Sequence, residues 1–546
     1  MITGADLIPT YIVAITYSKK AKLRRYSIRL LKMHRVINHF IRALHDTPVV
    51  AIVYGNGAWK TTKAASMAFL KGFVDDRKVT VYTLGMEAKI LEPQREIPVV
   101  LDADVIVAGG GPGGIPAAVA AARHGARVVL IERYGFLGGL ATAGLVSPVL
   151  GHTASKSSTP IVEGILKELT ESMHRIGGAP SWPETLDRHS IPFDAEAFKY
   201  AADCMVADAG VTVMLHTYVA GTIVENGNVK AIITESKSGR QAITGKICID
   251  ATGDGDVAAQ SGVPFTFGRH FDGKVESMGS FIHIGGIEDA TEDQKSAAVE
   301  KLQSAMMKGK FKFYGPGFAN RNTVYTDHFS PNMTRWPGDS TNVKDMTGAE
   351  IGIRREAWDF IEFLRLQPGF ENSYLRATSP QVGPRESRQI SGGYALTGDD
   401  VSQGKKYSDG IARGSWWIDI HCPRGLTFPV HLCVAECPEG EKCSFWASEH
   451  QDSMRSRNDL YPPDGDWYDI PYRCLCPQRI DNLLVSGRCI SATHQGMAGA
   501  RVMGTCMAIG QAAGTAAAIA YMDSTALRDI EVGLLRRSLE ADGALV

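Results

Sequence analysis

Four side chains in the sequence have the types needed to hold an anion and move a proton. Arg385 and Arg388 are three positions apart, so they share a face if their segment is helical. Two guanidinium groups on one face can grip a carboxylate through paired hydrogen bonds. The residues leave a structural role equally open, in which the two arginines pair with Glu386 or with a bound cofactor. His421 and His494 are acid–base candidates, because imidazole titrates near neutral pH, although a single histidine is more often structural.

Cysteine is the next residue type with chemical potential. The chain has 10 cysteines in 546 residues, too few for a disulfide scaffold, which favours a reducing compartment. Five of them lie close together in sequence: Cys433, Cys437, Cys443, Cys474 and Cys476. Their CxxxC and CxC spacings match neither a zinc ribbon nor an iron–sulfur run. We therefore expect free thiols and no metal site, with a zinc or iron–sulfur site or disulfides as the alternatives.

A glycine-rich segment, Gly109-Gly110-Gly111-Pro112-Gly113-Gly114, satisfies the pattern GxGxxG. In this pattern Gly109 permits a tight turn, Gly111 lets the backbone approach a pyrophosphate, and Gly114 lets a helix pack closely on a strand. Glu132 follows 18 residues after Gly114, where an acid can accept hydrogen bonds from the hydroxyls of an adenosine ribose. The combination predicts a dinucleotide-binding site.

The elements that must position these residues can be read from the neighbouring sequence. Val105–Ala108 is a short β-branched run, typical of a strand buried on both faces. An alanine-rich helix is predicted from Ala117 to His124, and a second strand from Arg127 to Ile131 leads into Glu132. The helix begins at the glycines, so its positive end faces the phosphate charge. The elements therefore follow the order of the dinucleotide-binding fingerprint: strand, glycine turn, helix, strand and acid.

Later segments carry a resemblance to a known family. The sequence resembles the FAD-dependent oxidoreductases, whose fold is that of the glutathione-reductase-like, two-dinucleotide-binding flavoproteins. It is distantly similar to the flavoprotein subunits of fumarate reductase and succinate dehydrogenase. The resemblance spans residues 96–521. It rests on Gly109 to Gly114, Glu132 to Thr142, Asp250 to Asp256, Gly383 to Arg388, Ile470 to Arg473 and Asn482 to Ala520.

The resemblance implies FAD as the cofactor. The residues that it assigns to FAD are Gly109, Gly111, Pro112, Gly113, Gly114, Glu132, Arg133, Gly138, Gly139, Thr142, Val219, Ala251, Thr252, Gly253, Gly487, Arg488 and Arg501. Among them Gly138, Gly139 and Thr142 are expected near the flavin ring, and the backbone of Val219 near the adenine. The helix after Arg501 is expected to direct its amino end at the flavin C2 carbonyl, which stabilises a reduced, anionic flavin.

Two features depart from the general two-dinucleotide pattern. The acid that usually follows the C-terminal strand is replaced by Arg488. No second GxGxxG follows a strand, so a dedicated NAD(P)H domain is not evident.

The fold class predicted is α/β: a doubly wound, Rossmann-like FAD-binding domain with an inserted mixed α+β substrate domain and a basic helical extension at the N-terminus. The predicted segments are 1–95 for the extension, 96–263 and 472–546 for the FAD-binding domain, and 264–471 for the substrate domain. From Lys19 to Arg42 the chain is basic, lacks acids and has apolar residues at helical spacing. This segment is read as an amphipathic helix. An organelle transit segment, a membrane-associating helix and a helix docked on the protein remain open.

Two further segments resemble functional motifs but are better explained otherwise. Val502–Met522 is uncharged and about long enough to cross a bilayer, but it is rich in Ala and Gly and contains Gln511. We expect a buried helix in which Gly510 and Gly514 allow close backbone contact. Gly55–Thr61 looks like a phosphate loop, but Trp59 stands where that loop requires glycine.

The net charge of −1, from 58 basic and 59 acidic residues, offers no overall field for nucleic acid or anionic lipid. We expect an FAD-dependent oxidoreductase that transfers a hydride between FAD and a small organic substrate, of which a carboxylate is one candidate. The alternatives are a flavin-binding electron-transfer partner without its own turnover and a flavin-dependent RNA-modifying enzyme, which the balanced charge disfavours. The expected partners are a small-molecule substrate and an unnamed electron donor or acceptor, without nucleic acid or a transmembrane span. A cytoplasmic location is expected, or an organelle if the basic segment is a transit peptide.

Overall fold

The computed structural model describes residues 94–270, 272–308, 310, 323–423 and 460–546, together with the backbone of four strands between residues 11 and 85. The chain forms two compact units, Met1–Glu96 and Ile97–Val546.

The described part of the first unit is a four-stranded sheet with the order β2-β1-β3-β4. Its strands are β1 (Tyr11–Thr16), β2 (Arg25–Arg29), β3 (Val49–Gly55) and β4 (Thr80–Gly85). Strand β3 leads into the Gly55–Thr61 segment discussed above.

The basic helix predicted from Lys19 to Arg42 is wrong at Arg25–Arg29, which pairs antiparallel with β1. In this stretch Tyr26 and Ile28 alternate with polar residues, so the period of two that suits a strand competes with the helical spacing. The rest of the predicted helix, and the segment after Gly55, lie outside the described residues.

In the described residues of the second unit, the strands form one large sheet and three small ones. The strands are β5 (Val99–Ala108), β6 (Val128–Ile131), β7 (Thr212–Met214), β8 (Tyr218–Glu225), β9 (Asn228–Ser236), β10 (Gly239–Asp250), β11 (Phe265–Phe267), β12 (Ile282–Gly285), β13 (His328–Phe329), β14 (Tyr374–Thr378), β15 (Arg388–Ile390), β16 (Gly410–Gly414), β17 (Tyr468–Pro471) and β18 (Leu483–Val485). The large sheet has the order β7-β6-β5-β10-β9-β8, and β18 also pairs with β10.

The described α-helices surround these sheets. They are α1 (Gly114–Arg123), α2 (Ile165–Arg175), α3 (Trp182–Arg188), α4 (Ala195–Asp208), α5 (Asp256–Gln260), α6 (Glu292–Met307), α7 (Val343–Arg365), α8 (Gly398–Ser402), α9 (His494–Ala500), α10 (Met503–Met522) and α11 (Val532–Ala541).

The parallel part of the large sheet determines where the site lies. Strands β5, β6, β10 and β18 run in the same direction, and β8 and β9 are antiparallel to their neighbours. Because the carboxyl ends of parallel strands meet at one edge, the turns after these strands gather there. Those turns begin at Gly109, Glu132, Ala251 and Ser486. The α/β sheet predicted from sequence is therefore confirmed.

Helix α10 packs directly against the first turn and α1. A Cβ atom on Gly510 would stand 2.4 Å from the carbonyl oxygen of Gly113, and one on Gly514 would stand 2.1 Å from that of Ala117. The two glycines therefore serve close contact between backbones, as expected. By length and composition α10 has the character of a membrane span, but 89% of its apolar window is buried inside the protein.

The segment between β10 and β18 adds the smaller sheets. Strands β13, β12 and β14 form an antiparallel sheet, and helices α6 and α7 pack against it. The hydrophobic core that they share includes Leu302, Phe360 and Phe370, each fully buried. Strands β11 and β15 form a separate pair, as do β16 and β17.

Candidate active site

The turn after β5 is shaped by glycines that have two different roles. Gly109 has a φ of +102°, and a Cβ on Gly114 would stand 1.7 Å from the carbonyl oxygen of Gly109. These two positions need glycine for the chain itself to fold. At Gly111 the nearest atom to an added Cβ is the Cα of Gly139, at 3.5 Å. The protein therefore has room for a Cβ atom at Gly111, and the close approach of a pyrophosphate to the backbone explains why glycine stands there.

Glu132 lies at the end of β6, buried beside this turn. Its Oε2 accepts a hydrogen bond of 2.7 Å from the backbone N–H of Gly110, and Oε1 accepts one of 2.9 Å from Tyr134. Burial raises the pKa of Glu132, and the two N–H groups oppose the shift. Each oxygen keeps a second lone pair with which to accept a ribose hydroxyl.

The opposite wall comes from the turn after β18. The turn backbones approach each other closely, since a Cβ on Gly113 would stand 2.9 Å from the N of Gly487. Arg488 contacts Asp254 through Nη2 at 3.4 Å, while its Nη1 is buried and has no hydrogen-bond partner. A buried guanidinium N–H without an acceptor is a donor ready for a phosphate oxygen. The glycine cradle and this donor both fit the pyrophosphate of a dinucleotide.

Together these turns line a cleft, which we call the FAD cleft. The residues assigned to FAD from the sequence that line it are Gly109, Gly111, Pro112, Gly113, Glu132, Arg133, Gly139, Ala251, Thr252, Gly253, Gly487, Arg488 and Arg501. Met503 and Cys506, in the first turn of α10, line it too.

Val219 does not line the FAD cleft but a smaller cleft beside it. This smaller cleft is also lined by Gly109, Glu132 and Thr252, so it is continuous with the FAD cleft on the side of the ribose-binding acid. That position agrees with the adenine contact expected of the Val219 backbone.

The remaining assigned residues, Gly114, Gly138 and Thr142, lie beneath the cleft surface. The backbone N–H of Gly138 donates to the carbonyl oxygen of Gly110 at 2.8 Å. The Thr142 hydroxyl donates to the carbonyl oxygen of Leu137 at 2.7 Å and is fully buried. These groups hold the cradle in shape instead of facing its cavity.

A second cavity, which we call the adjoining pocket, shares a wall with the FAD cleft. The residues common to both cavities are Leu140, Pro384, Arg488, Arg501 and Met503. Two of the predicted catalytic side chains, Arg385 and His421, line the adjoining pocket together with Asn332, Trp416 and Asp419.

Arg385 is held in the wall of the adjoining pocket by neutral acceptors. Nη1 donates to the carbonyl oxygen of Ser277 at 2.6 Å, and Nη2 donates to Oδ1 of Asn332 at 3.2 Å. These bonds fix the plane of the guanidinium group.

His421 faces the same pocket as a neutral imidazole. Burial, and next the charge of Arg385, hold the pKa of His421 well below its ordinary value of 6.5, although Asp419 acts in the other direction. Asp419 Oδ1 lies 3.5 Å from His421 Nε2. Burial alone would raise the pKa of Asp419, but His421 and Arg501 lower it below its ordinary value. The pair is thus an uncharged base next to a carboxylate.

Arg388 is not brought to this pocket. It lies on strand β15, so the shared helical face expected for Arg385 and Arg388 does not form. Its Nη1 donates to Asp256 Oδ1 and to the carbonyl oxygen of Asp254, both at 2.8 Å. The guanidinium also lies over the ring of Phe265, 5.5 Å from its centroid. These contacts are structural, but the partners are Asp254 and Asp256 and not the Glu386 or the cofactor that the sequence suggested.

His494 also lies apart from the adjoining pocket. It is the first residue of α9 and lines a different cleft, with Gln389 and Thr493. Its Nδ1 is 2.7 Å from Glu386 Oε2. The two acid–base candidates, His421 and His494, therefore line different cavities.

Sequence reasoning missed three residues that the structure places around the pocket: Glu276, Asn332 and Asp419. Asp419 could have been found, because it stands two positions before His421. Glu276 and Asn332 belong to no recognisable motif.

The cysteine prediction can be followed only in part. Cys474 and Cys476 are buried and unpaired, and burial raises the pKa of the Cys476 thiol to about 11. Cys433, Cys437 and Cys443 lie outside the described residues. Within the described residues no group of acids, cysteines and histidines has the geometry of a metal site.

Comparisons with known proteins extend these observations. The model of the family described as FAD dependent oxidoreductase matches residues 104–539. The soluble pyridine nucleotide transhydrogenase of Chromohalobacter salexigens is 35% identical over 96 residues, which is 17% of this chain and 19% of that protein. The chain thus matches about a fifth of the length of this curated relative.

Two solved structures are similar to this chain at low sequence identity and low TM-score. The geranylgeranyl bacteriochlorophyll reductase-like protein of Thermoplasma acidophilum is 11% identical, with 81% of this chain and 83% of that chain covered and a TM-score of 0.37. The open conformation of a flavocytochrome c3 fumarate reductase is 12% identical, with 78% and 79% covered and a TM-score of 0.32. By the family match over most of its length, the chain belongs to the FAD-dependent oxidoreductase family, and its cofactor is FAD.

Proposed function

We propose that the protein oxidises a small organic substrate bearing a negatively charged group, such as a carboxylate, by transferring a hydride to FAD. The observation that supports this proposal is the adjoining pocket, which shares a wall with the FAD cleft and contains Arg385 and an uncharged His421.

Charge in the pocket favours an anionic substrate. Among the charged side chains that line the pocket, three are arginines, Arg385, Arg488 and Arg501, and one is a carboxylate, Asp419. The excess is positive, and Arg385 presents a planar group with several donors that can hold a carboxylate bidentately. Apolar walls from Leu140, Phe281 and Trp416 would exclude water around the reacting carbon.

His421 is assigned as the base that accepts the proton released by the substrate. Oxidation of an alcohol or amine carbon removes a hydride from carbon and a proton from the attached oxygen or nitrogen. FAD, when bound, supplies the two-electron acceptor. The unprotonated imidazole of His421 accepts the proton, and Asp419 at 3.5 Å stabilises the imidazolium that forms.

The direct test is anaerobic bleaching of the flavin by a panel of hydroxy and amino acids. Each acid is compared with its uncharged amide or methyl ester. We expect bleaching by at least one acid and far less by its neutral analogue. Equal bleaching by both forms would remove the anion-binding role. Reoxidation of chemically reduced enzyme by unsaturated acids, without bleaching by any saturated acid, would reverse the proposed direction.

A further inference from the structure

One carboxylate behind the FAD cleft has no role in the proposed reaction. Glu276 is fully buried and holds Arg501: Nε of Arg501 donates to Oε1, and Nη2 donates to Oε2, both at 3.1 Å. Oε2 also accepts a hydrogen bond of 2.9 Å from the backbone N–H of His421. Burial raises the pKa of Glu276 above its ordinary value, and Arg501 opposes that shift. Because both oxygens accept hydrogen bonds and one partner is a guanidinium, we treat the group as a carboxylate.

A second buried pair is attached to the first. Oε2 of Glu386 accepts from the backbone N–H of Glu276 at 3.0 Å and lies 2.7 Å from Nδ1 of His494. Burial would lower the pKa of His494, but Glu386, and to a smaller extent Glu276, raise it above its ordinary value, while Arg269 opposes them. We call Glu276, Glu386, His494 and Arg501 the charge quartet. With His494 protonated, its two negative and two positive charges balance.

Arg501 is the member of the quartet that reaches the cofactor, because it lines the FAD cleft. A positive charge there stabilises a flavin that has gained negative charge on reduction. A carboxylate paired with that arginine weakens the stabilisation. Asp419, at 3.6 Å from Nη2 of Arg501, acts in the same sense from the adjoining pocket.

We propose that Glu276 is a positioning residue that lowers the reduction potential of the bound FAD by neutralising Arg501, and that His494 partly offsets this effect through Glu386. The proposal rests on FAD binding alone, not on the proposed substrate, so it can fail or succeed independently of the proposed reaction. It differs from a purely structural role in one respect: the sign of the charge must matter.

The experiment measures two properties of the bound flavin that need no substrate, its reduction potential and its affinity for sulfite. Sulfite adds to oxidised flavin and leaves a negative charge on the ring, so it reports the same electrostatics as reduction. In Glu276→Gln, which keeps the shape and removes the charge, sulfite affinity should rise roughly tenfold, as expected for loss of a buried unit charge. The potential should rise by about 30 mV, which is the equivalent of a tenfold change for a two-electron couple.

Two further variants distinguish charge from shape. Glu276→Asp keeps the charge on a shorter side chain, so its potential should stay close to that of the wild type. His494→Gln, measured at pH 6 where the histidine is protonated, removes a positive charge and should shift both properties in the opposite direction by a smaller amount. This opposite sign is the result that packing damage cannot imitate.

The matched control is Glu168→Gln. Glu168 forms the same kind of two-bonded pair with an arginine, Arg123, at 2.7 and 2.8 Å, but this pair is exposed and lies outside both cavities. It should leave the potential unchanged. An unchanged or lowered potential in Glu276→Gln would overturn the proposal. If Glu276→Gln does not retain flavin, His494→Gln decides: a fall in potential supports the proposal, and no change or a rise refutes it.

Discussion

The FAD cleft and the adjoining pocket share a wall, but backbone lines the first and side chains line the second. The cleft is formed by the backbones of tight turns, and glycines at Gly111, Gly113 and Gly487 bring those turns together. The pocket is formed by charged and aromatic side chains from segments far apart in sequence, such as Arg385 and Asp419. Recognition in the cleft therefore depends on the absence of side-chain volume, and recognition in the pocket depends on side-chain charge.

The largest effect on stability is expected at Gly114, because the turn that forms the FAD cleft cannot fold with a side chain there. In Gly114→Ala a Cβ would stand 1.7 Å from the carbonyl oxygen of Gly109, so the turn and α1 must separate. We expect a loss of about 3 kcal/mol in the free energy of unfolding, at the upper end of overpacking effects, and loss of FAD. Urea unfolding of the apoprotein measures the first, and an unchanged midpoint would show that the turn adjusts.

The next substitution should abolish FAD binding without preventing the chain from folding. Gly111→Val places its Cβ 3.5 Å from the nearest protein atom, so the chain should fold, but the side chain occupies the path of the pyrophosphate. We expect purified protein without flavin and a lower melting temperature, because bound FAD no longer stabilises the native state. The apoprotein should melt at the same temperature as wild-type apoprotein.

Gly348→Val is the matched control for this variant. Gly348 lies on α7, outside both cavities, and an added Cβ there meets only Trp336 Nε1 at 3.8 Å. Full flavin content is expected in the control. An unchanged flavin-to-protein ratio in Gly111→Val would contradict the assigned position of the cofactor.

The same contrast explains what could be predicted from sequence. The FAD cleft depends on short-range spacing, since Gly109, Gly114 and Glu132 act within one strand–helix–strand unit. The adjoining pocket depends on which distant segments meet, and no local spacing encodes that Arg385 faces His421 while Arg388 turns to Asp256.

The helix prediction for the basic N-terminal segment is wrong for a related reason. Arg25–Arg29 fits both a helical and an alternating pattern, and its pairing with β1 is decided by a segment that lies elsewhere in the chain. Glu276 could not be found either, because its role follows from contact with Arg501, 225 positions away.

The pair Arg385 and Arg388 tests whether charge geometry defines the pocket. Lysine in place of Arg385 keeps the charge but loses the planar fork, so kcat/KM for the anionic substrate should fall about ten- to a hundredfold, as a charged hydrogen bond is worth roughly 1.5–3 kcal/mol. Flavin content should stay near that of the wild type. Arg388→Lys should instead lower the melting temperature, because it weakens contacts with Asp254 and Asp256, and leave kcat/KM per bound flavin unchanged. The reverse pattern would exchange the roles of the two arginines.

A smaller effect is expected from pH. Because the pKa of His421 lies well below 6.5, the base remains unprotonated as the pH falls from 8 to 6.5. An imidazole with its ordinary pKa would lose about half of its activity at pH 6.5. The rate of substrate-driven bleaching should therefore fall by less than about twofold over this range and decline only at lower pH. A midpoint at or above pH 6.5 would mean that another group provides the base or that Arg385 does not act on His421.

The smallest effect on flavin binding is expected from deletion of residues 1–85, although it is the largest change to the chain. Among the described residues, every one that lines the FAD cleft or the adjoining pocket lies between Gly109 and Cys506, and the large sheet begins with β5 at Val99. Just before β5, the carbonyl oxygen of Pro98 accepts a hydrogen bond from Ala242, and Ile97 packs against Ile233. A deletion of residues 1–85 keeps these contacts, so the flavin-to-protein ratio and the flavin spectrum should match those of the full chain.

Two properties must be measured, because the FAD cleft depends on backbone shape and the adjoining pocket on charge. Flavin content reports the cleft, and sulfite affinity reports the charges around Arg501. Loss of flavin from a soluble truncated protein would show that the first unit completes the cleft. A changed sulfite affinity at full flavin content would show instead that its basic residues contribute to the electrostatics of the site.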